Sequence, residues 1–247
     1  MNKYLGVLVG AALFAALGSG SAVANDAAYV GWSQGEPWGQ MGNVHAMDDV
    51  FGAGNWDRLD FPTAVQNGLW NYRFIFMDGG DGADGEFVTF INNNRADLEA
   101  WVAAGGHLIV NAARWYETYP FDLGCGFTLN HESSYDGFAV DDTHPVYDGP
   151  FGYTGTDFYG DYLAHDWVAG GTVLMTGDHG NALLAETPYG DGWAIAGGLT
   201  LPFFGEHPLW SPNCDEFHRN LLYYGYHVPE PTSLALLLGA LALVRRR

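Results

Sequence analysis

Basic residues are scarce in this sequence: lysine and arginine together number 9, against 29 aspartates and glutamates, and the formal net charge is −20. Four of the nine, Lys3 and Arg245 to Arg247, lie at the ends of the chain, which leaves five arginines between them. A surface of this charge repels the phosphates of nucleic acids and of anionic lipids. The composition therefore excludes nucleic acid as a partner and favours cations or a hydrated matrix.

Long hydrophobic runs are also absent. The stretch from Leu5 to Leu17 is apolar but shorter than the roughly 20 residues that a membrane-spanning helix needs. Lys3 precedes it and Ala22-Val23-Ala24 follows, which is the small-x-small pattern that signal peptidase cleaves. We therefore predict a signal peptide over residues 1–24, rather than a membrane anchor, and an exported chain that begins at Asn25.

Cysteine occurs only twice, as Cys125 and Cys214. In an oxidising compartment two such cysteines favour a disulfide, which would close a long loop and stabilise the fold by about 4 to 5 kcal/mol. The histidines show no H-E-x-x-H or comparable zinc spacing. We thus expect a Cys125–Cys214 disulfide and no zinc site.

The last twenty residues, VPEPTSLALLLGALALVRRR, form a second unusual segment. As a helix, the apolar part at 234–244 would extend about 16 Å, against a hydrocarbon core of about 30 Å. The arginines after it favour a cytoplasmic end, and the prolines before it stop a helix from leaving the membrane. Residues 228–247 therefore predict a transient membrane insertion with an accessible segment outside.

This arrangement closely resembles the PEP-CTERM sorting signal of Gram-negative bacteria. The motif residues are Pro229, Glu230 and Pro231, followed by the terminal cluster Arg245, Arg246 and Arg247. The resemblance implies recognition by an exosortase, removal of the tail, and delivery to the cell surface or to the extracellular polysaccharide matrix of a biofilm. Exosortase, signal peptidase and extracellular polysaccharide are thus the expected partners.

The segment between the signals, residues 25–227, alternates strand-like and helix-like stretches and predicts one α/β domain with a parallel sheet. We expect a helix that Asn94 caps and Gly105-Gly106 end, a later antiparallel hairpin that turns at 188–192, and a final helix that Gly225 follows. Four further stretches read as strands: 27–32, 72–77, 107–110 and 171–175.

The order of these pieces resembles the class I glutamine amidotransferase-like fold, including trehalose-utilisation-type domains. Segments that carry the resemblance are FIFMDGGDG, LEAWVAAGGHLIV, THPVYDG, VLMTG, YGDGWAIAGG and FHRNLLYYG. It implies a flavodoxin-like parallel sheet flanked by helices, and a cysteine, histidine and glutamate in the catalytic branch. Here the expected thiol position reads NAARW, and GEHPLW has no glutamate after its proline. The one alternative set is Cys125, His207 and Glu206.

An acidic, glycine-rich loop follows the buried strand at 72–77. It contains Asp78, Asp81, Asp84 and Glu86, at the end of a parallel strand where ligands of open α/β sheets bind. Calcium takes six to eight oxygen ligands, and glycines let the backbone wrap around it. The loop therefore predicts a calcium site, with a solvated turn as the alternative.

Aromatic residues make up 15% of the chain. Rings alternate with glycines and acids around Trp32 and Trp38 and again from Phe151 to Trp167. Sugar faces stack on such rings while carboxylates bind the hydroxyls, so these segments predict glycan binding. The other interpretation is that the rings pack inside the domain.

The leading interpretation is an exported, exosortase-processed surface or matrix protein whose domain is a non-catalytic binding or structural module. The first alternative is a hydrolase acting on matrix polysaccharide, with a pair of carboxylates, or on an amide, with the Cys125 set. The second alternative is a calcium-dependent adhesin.

Overall fold

A computed structural model describes residues 25–116 and 118–228; the predicted signal peptide and the predicted tail from Pro229 onward lie outside this part of the chain. Within it there are twelve strands: β1 Ala27–Gly31, β2 Asp57–Asp60, β3 Phe74–Asp78, β4 His107–Asn111, β5 Phe121–Gly124, β6 Phe127–Ala139, β7 Asp148–Gly149, β8 Gly152–Tyr153, β9 Asp157–Ala169, β10 Thr172–Gly177, β11 Ala182–Tyr189 and β12 Gly192–Gly197. The described helices are α1 Gly42–Phe51, α2 Asp84–Ala103 and α3 Asn213–His227.

The central sheet begins with five parallel strands in the order β2-β1-β3-β4-β12. β1, β3 and β4 are buried along their whole length. Strands covered on both faces lose their polar/apolar alternation, which is why YRFIFM and HLIV read as continuous apolar runs. The predicted α/β class with a parallel sheet is confirmed.

Helices cover both faces of the sheet. On one face α2 packs through Phe87, Ile91 and Leu98. On the other face α1 and α3 pack together, with Met47 and Phe217 in the shared core. Successive residues of β1, β3, β4 and β12 alternate between these two clusters, as the pleat requires.

The second half of the sheet is antiparallel. The predicted hairpin is confirmed as β11 and β12, and from β11 the sheet continues through β10 and β6 to β5. β9 pairs with β6 over most of their length, so the aromatic segment after Phe151 forms a long strand instead of a loop. Sequence patterns did not predict β5, β6 and β9, because glycines and acids interrupt their apolar residues.

Two predicted helix ends are wrong. α2 begins at Asp84, ten residues before Asn94, whose side-chain amide donates to the carbonyl of Phe90 at 2.8 Å. Asp84 and Glu86 lie in its first turn, where carboxylates stabilise a helix N-terminus. Gly225 lies inside α3 and does not end it. The glycine allows α3 to pack closely on the sheet, because a Cβ there would approach Ile109 Cδ1 to 2.7 Å.

The connections place α1 and α2, which follow β1 and β3, on opposite faces of the sheet. The loops after these two adjacent strands therefore separate at the carboxyl edge and leave a crevice, the usual ligand position in open α/β sheets. Among the described residues, no helix is long and apolar enough to cross a membrane.

Candidate functional site

The loops that follow β1, β3, β4 and β12 meet β9 at the carboxyl edge of the parallel strands. Three non-glycine residues there have left-handed backbone angles: Trp38 with φ 52°, Asp81 with φ 48° and Tyr162 with φ 63°. Strained residues of this kind concentrate at functional sites. The Trp38 conformation is held in place because its N–H donates to Asp81 Oδ2 at 3.0 Å.

A cavity of about 290 Å³ opens at this edge, and we call it the aromatic pocket. Its volume is at the lower end for ligand pockets and suits one unit of a larger ligand. It is lined by Trp38, Trp115, Asp161, Tyr162, His165, Thr200, Phe203, His207, Leu209 and Trp210.

The rings of the aromatic pocket form a continuous wall. Trp38 lies with its ring centroid 5.3 Å from that of Phe203, and Phe203 stacks on Trp210 at 4.5 Å with an interplanar angle of 1°. On the other side, Trp115 contacts Tyr162 at 5.9 Å. Each ring thus fixes its neighbour, and the wall is organised without a ligand.

His165 lies between the two sides of this wall. Its ring centroid is 4.7 Å from that of Trp115 and 5.9 Å from that of Trp38. Burial, followed by the charge of His131, lowers the pKa of His165 to about 4, although the Asp81 carboxylate opposes this shift. His165 is therefore neutral at neutral pH and can hydrogen-bond a ligand without repelling a cation.

A second cavity of about 480 Å³ adjoins the aromatic pocket and shares His207 and Trp210 with it; we call it the acidic cleft. Glu206 and Asp215 line it. Burial raises the pKa of Asp215 above its usual range, against the lowering effect of Arg219, and the charge on Glu206 adds to the increase. Two carboxyl groups therefore face one cleft, and burial favours the protonated form of one of them, Asp215.

Asp78 lies at the end of β3, beneath the ring of Trp38. It accepts hydrogen bonds from Gly80 N at 2.9 Å, Asn43 Nδ2 at 3.1 Å and Asn111 Nδ2 at 3.2 Å. Burial raises its pKa to about 7 in spite of these donors. Asp78 is fully buried, so it supports the loops of the site and does not contact a ligand directly.

The four residues of the predicted calcium loop bind four separate sets of donors. Asp81 accepts from Trp38 N, Asp84 accepts from Trp115 N and Tyr116 N, and Glu86 accepts from Ser33 N and Oγ. In the part of the chain that the structure describes, no group of three or more metal-ligating side chains converges. Calcium binding stays a prediction, and these carboxylates tie the site loops together.

The predicted disulfide is wrong. Cys125 and Cys214 are both free and buried, and they belong to the cores on opposite faces of the sheet. Cys125 is the turn residue between β5 and β6, with φ 52° between two glycines that also have positive φ. Sequence separation alone gave no information on which face each cysteine would occupy.

The alternative catalytic set of Cys125, His207 and Glu206 does not assemble either. His207 and Glu206 line the acidic cleft, whereas Cys125 is buried beside Glu99, which accepts from its N–H at 2.9 Å. Burial and the Glu99 charge raise the pKa of the Cys125 thiol to about 12, so it holds its proton at neutral pH. The sorting residues Pro229, Glu230, Pro231, Arg245, Arg246 and Arg247 lie outside the described residues.

Sequence reasoning found part of this site. It singled out Trp38 and the segment that contains Tyr162 and His165, and the structure brings these together. It missed Trp115, Phe203 and Trp210, which come from loops after β4 and β12. The signal was present in NAARWYE and LPFFGEHPLW, where rings and acids directly follow apolar runs.

No protein-family model matches the chain, and no curated protein matches it. Three solved structures that match are glycoside hydrolases. A cold-adapted beta-galactosidase from Rahnella sp. R3 is 13% identical with a TM-score of 0.49, the GH42 beta-galactosidase Gan42B is 12% identical with 0.46, and the exo-beta-1,4-mannosidase Op5Man5 from Opitutaceae bacterium strain TAV5 is 14% identical with 0.48.

These matches cover 79 to 82% of this chain and only 28 to 36% of the enzymes' chains. The matched enzymes act on sugars, contrary to the leading interpretation of a non-catalytic module. At this similarity they assign neither an activity nor a residue role to this chain.

Proposed function

We propose that this protein is an exported hydrolase of extracellular polysaccharide, with the acidic cleft as the cleavage site and the aromatic pocket as an adjoining sugar subsite. The observation that carries the proposal is the junction of the two cavities at His207 and Trp210. A polymer bound across this junction places one sugar against the ring wall and the next glycosidic bond beside two carboxyl groups.

The chemistry requires two carboxyl groups with different proton affinities. Asp215, whose pKa is raised by burial, is the general acid that protonates the leaving oxygen. Glu206 is the second carboxylate: it accepts a proton from the water that attacks the anomeric carbon as the bond to the leaving oxygen breaks. Its Oε1 is held by a hydrogen bond with His45 Nδ1. In the neighbouring pocket, stacking on Trp and Phe rings orients the sugar that precedes the bond.

Export to the substrate is part of the same proposal. The signal peptide over residues 1–24 and the PEP-CTERM tail at 228–247 support secretion, exosortase processing and a final position at the cell surface or in the matrix. The strongly acidic composition agrees with a hydrated extracellular environment. Intact mass of the exported protein measures whether the tail is removed.

We also propose that the parallel part of the sheet is flavodoxin-like and that the domain is a diverged relative of the amidotransferase-like fold. The strand order β2-β1-β3-β4-β12 supports this, since it follows the 2-1-3-4-5 order of that fold. The chain lacks a cysteine at the end of β4, where Ala112 and Ala113 follow Asn111. The proposed chemistry therefore uses carboxyl groups in place of a thiol.

The test is hydrolysis of polysaccharide by the protein recovered from outside producing cells. The substrates are the matrix polysaccharide of those cells and a panel of neutral and amine-bearing polymers, and released reducing ends are measured. Asp215→Asn should lower the rate by about 10² to 10⁴, because a general acid contributes this factor. Glu206→Gln should lower it as well.

The matched control is Asp97→Asn, which removes the same charge from an exposed position of α2 that lines neither cavity. This variant should keep the wild-type rate. Thermal melting of all three variants separates loss of chemistry from loss of fold. Absence of reducing ends from every polymer, or a folded Asp215→Asn variant with the wild-type rate, would show the proposal to be wrong.

A further inference from the structure

The aromatic pocket has the composition of a cation-binding cage. Five of its ten lining residues are Trp, Tyr or Phe, and their rings stand on at least two sides of the cavity. The electron-rich face of an aromatic ring attracts an ammonium group, and tryptophan is the most effective ring. Three of the five rings belong to tryptophans: Trp38, Trp115 and Trp210.

Acidic residues act on this pocket. Asp161 lines the pocket itself, and the negative charge of Asp81 acts on His165. The ring centroid of Tyr135 lies 4.9 Å from that of Tyr162, and the charges of Asp161 and Asp178 both act on Tyr135. The potential inside the pocket is therefore negative.

No lysine or arginine lines the pocket to offset this potential. Arg114 is the nearest arginine in the chain, one residue before Trp115, but it is fully buried and its NH2 group donates to Asp166 Oδ1 at 2.8 Å. The other four arginines of the described residues are engaged with Glu36, Asp122, Asp215 or the ring of Tyr226: Arg58, Arg95, Arg219 and Arg73.

We infer that the aromatic pocket binds an amino sugar through its positively charged amine. The ring wall surrounds the amine, and the Asp161 carboxylate forms an ion pair with it. The inference rests on the proposed function, since it names the substrate class of the same site. Neutral sugars stack on the rings and can donate hydroxyl hydrogen bonds to the carboxylates, but they gain no attraction between opposite charges. Uronic acids and sulfated sugars are repelled, because Asp161 lines the pocket and no lysine or arginine does.

The test compares three oligosaccharides of equal length on the exported protein. The probes are a β-1,4-linked glucosamine oligomer with free amines, its fully N-acetylated form, and an oligomer of galacturonate. Affinity is measured by titration calorimetry at pH 6 and low salt. We expect the free-amine oligomer to bind at least about tenfold more tightly than the N-acetylated one, and the galacturonate oligomer not to bind.

Two variants and one control identify the source of this preference. Asp161→Asn should reduce the amine preference severalfold, because the affinity for the free-amine oligomer falls much more than the affinity for the N-acetylated one. Trp115→Ala should weaken both, because stacking serves both ligands. Asp97→Asn, which changes the net charge equally, should keep the wild-type preference.

Equal affinities for the amine and the N-acetylated oligomer in the wild-type protein would overturn the inference, even where polysaccharide is hydrolysed. An amine preference that Asp161→Asn leaves intact would overturn the assigned role of Asp161. Conversely, an amine preference without release of reducing ends from any polymer would support the cage and contradict the proposed hydrolysis. The two proposals therefore fail on different measurements.

Discussion

Buried ionisable residues hold this site together at the scale of single side chains. Arg114 and Asp166 are both fully buried, and Asp166 also accepts from the backbone N–H of Arg114 at 2.8 Å. Removing one partner of such a pair leaves an uncompensated charge and is strongly destabilising. Asp78 is fully buried like Asp166, but it accepts hydrogen bonds from side-chain amides, whereas Asp166 pairs with a cation.

The Asp78 carboxyl predicts a specific dependence of stability on pH. Its pKa is about 7 in the folded chain, against a usual value of 3.8. Because the folded pKa is the higher one, the native state binds the extra proton, and this contribution is complete below pH 4 and is lost as pH rises through 7. Between pH 5 and pH 8 the loss is about 3 kcal/mol.

Asp78→Asn removes this titration. We expect the fall in unfolding free energy between pH 5 and pH 8, measured by urea denaturation, to be smaller in this variant than in wild type by about 3 kcal/mol. Other titrating groups contribute equally to both proteins and cancel in the difference. Asp97→Asn is the control and should follow wild type, whereas an unchanged pH slope in Asp78→Asn would contradict the assignment.

At the scale of elements, helix starts determine how the site loops approach each other. Gly42, the first residue of α1, lies against the turn that carries Phe203 of the aromatic pocket. A Cβ at Gly42 would come within 2.4 Å of Pro202 O and 2.7 Å of Phe204 O. These are backbone atoms, so α1 or the turn would have to move.

Gly42→Ala should therefore destabilise the fold by about 1 to 3 kcal/mol and weaken ligand binding in the pocket. The matched control is Gly85→Ala in the first turn of α2, where a Cβ meets nothing within 4 Å. This substitution should stabilise the protein by up to about 1 kcal/mol, because alanine is the better helix former. Urea denaturation gives both values, and equal stability of the two variants would contradict the close approach at Gly42.

At the scale of the whole molecule, the proposed export has to be reconciled with cysteines that form no disulfide. The sorting segments at the two ends lie outside the described residues, while the domain between them has two unpaired, buried thiols. Burial raises the pKa of each thiol to about 12, so neither reacts readily in the folded state. A protein exported in this state keeps free cysteines.

Intact mass of the protein recovered from outside the cell tests both statements. We expect a mass that lacks residues 1–24 and the tail beyond the Pro-Glu-Pro segment. Alkylation without reductant should label no cysteine in the native protein and two after unfolding in urea. A retained tail would contradict exosortase processing, and two cysteines that stay unlabelled in urea would contradict the free thiols.

Much of the parallel half of the fold could be predicted from the sequence, because strands buried on both faces appear as uninterrupted apolar runs. YRFIFM and HLIV are examples, and the glycine-rich turn in YGDGWAIAGG marked the hairpin. The antiparallel strands β6 and β9 could not be predicted in this way. Both strands contain exposed and half-buried residues among the buried ones, and glycines and acids at these positions interrupt the apolar pattern.

For the candidate site, the sequence by itself determined which residue types were available: a strong negative charge, many aromatic residues, and acids directly after apolar strands. It also determined the two sorting segments proposed for export, which are local motifs. Only the tertiary structure decided which of these residues meet. Trp38, Tyr162 and Trp210 are separated by more than forty residues each along the chain, and Cys125 and Cys214 lie on opposite faces of the sheet. Such contacts depend on strand order and on the pleat, which local patterns do not encode.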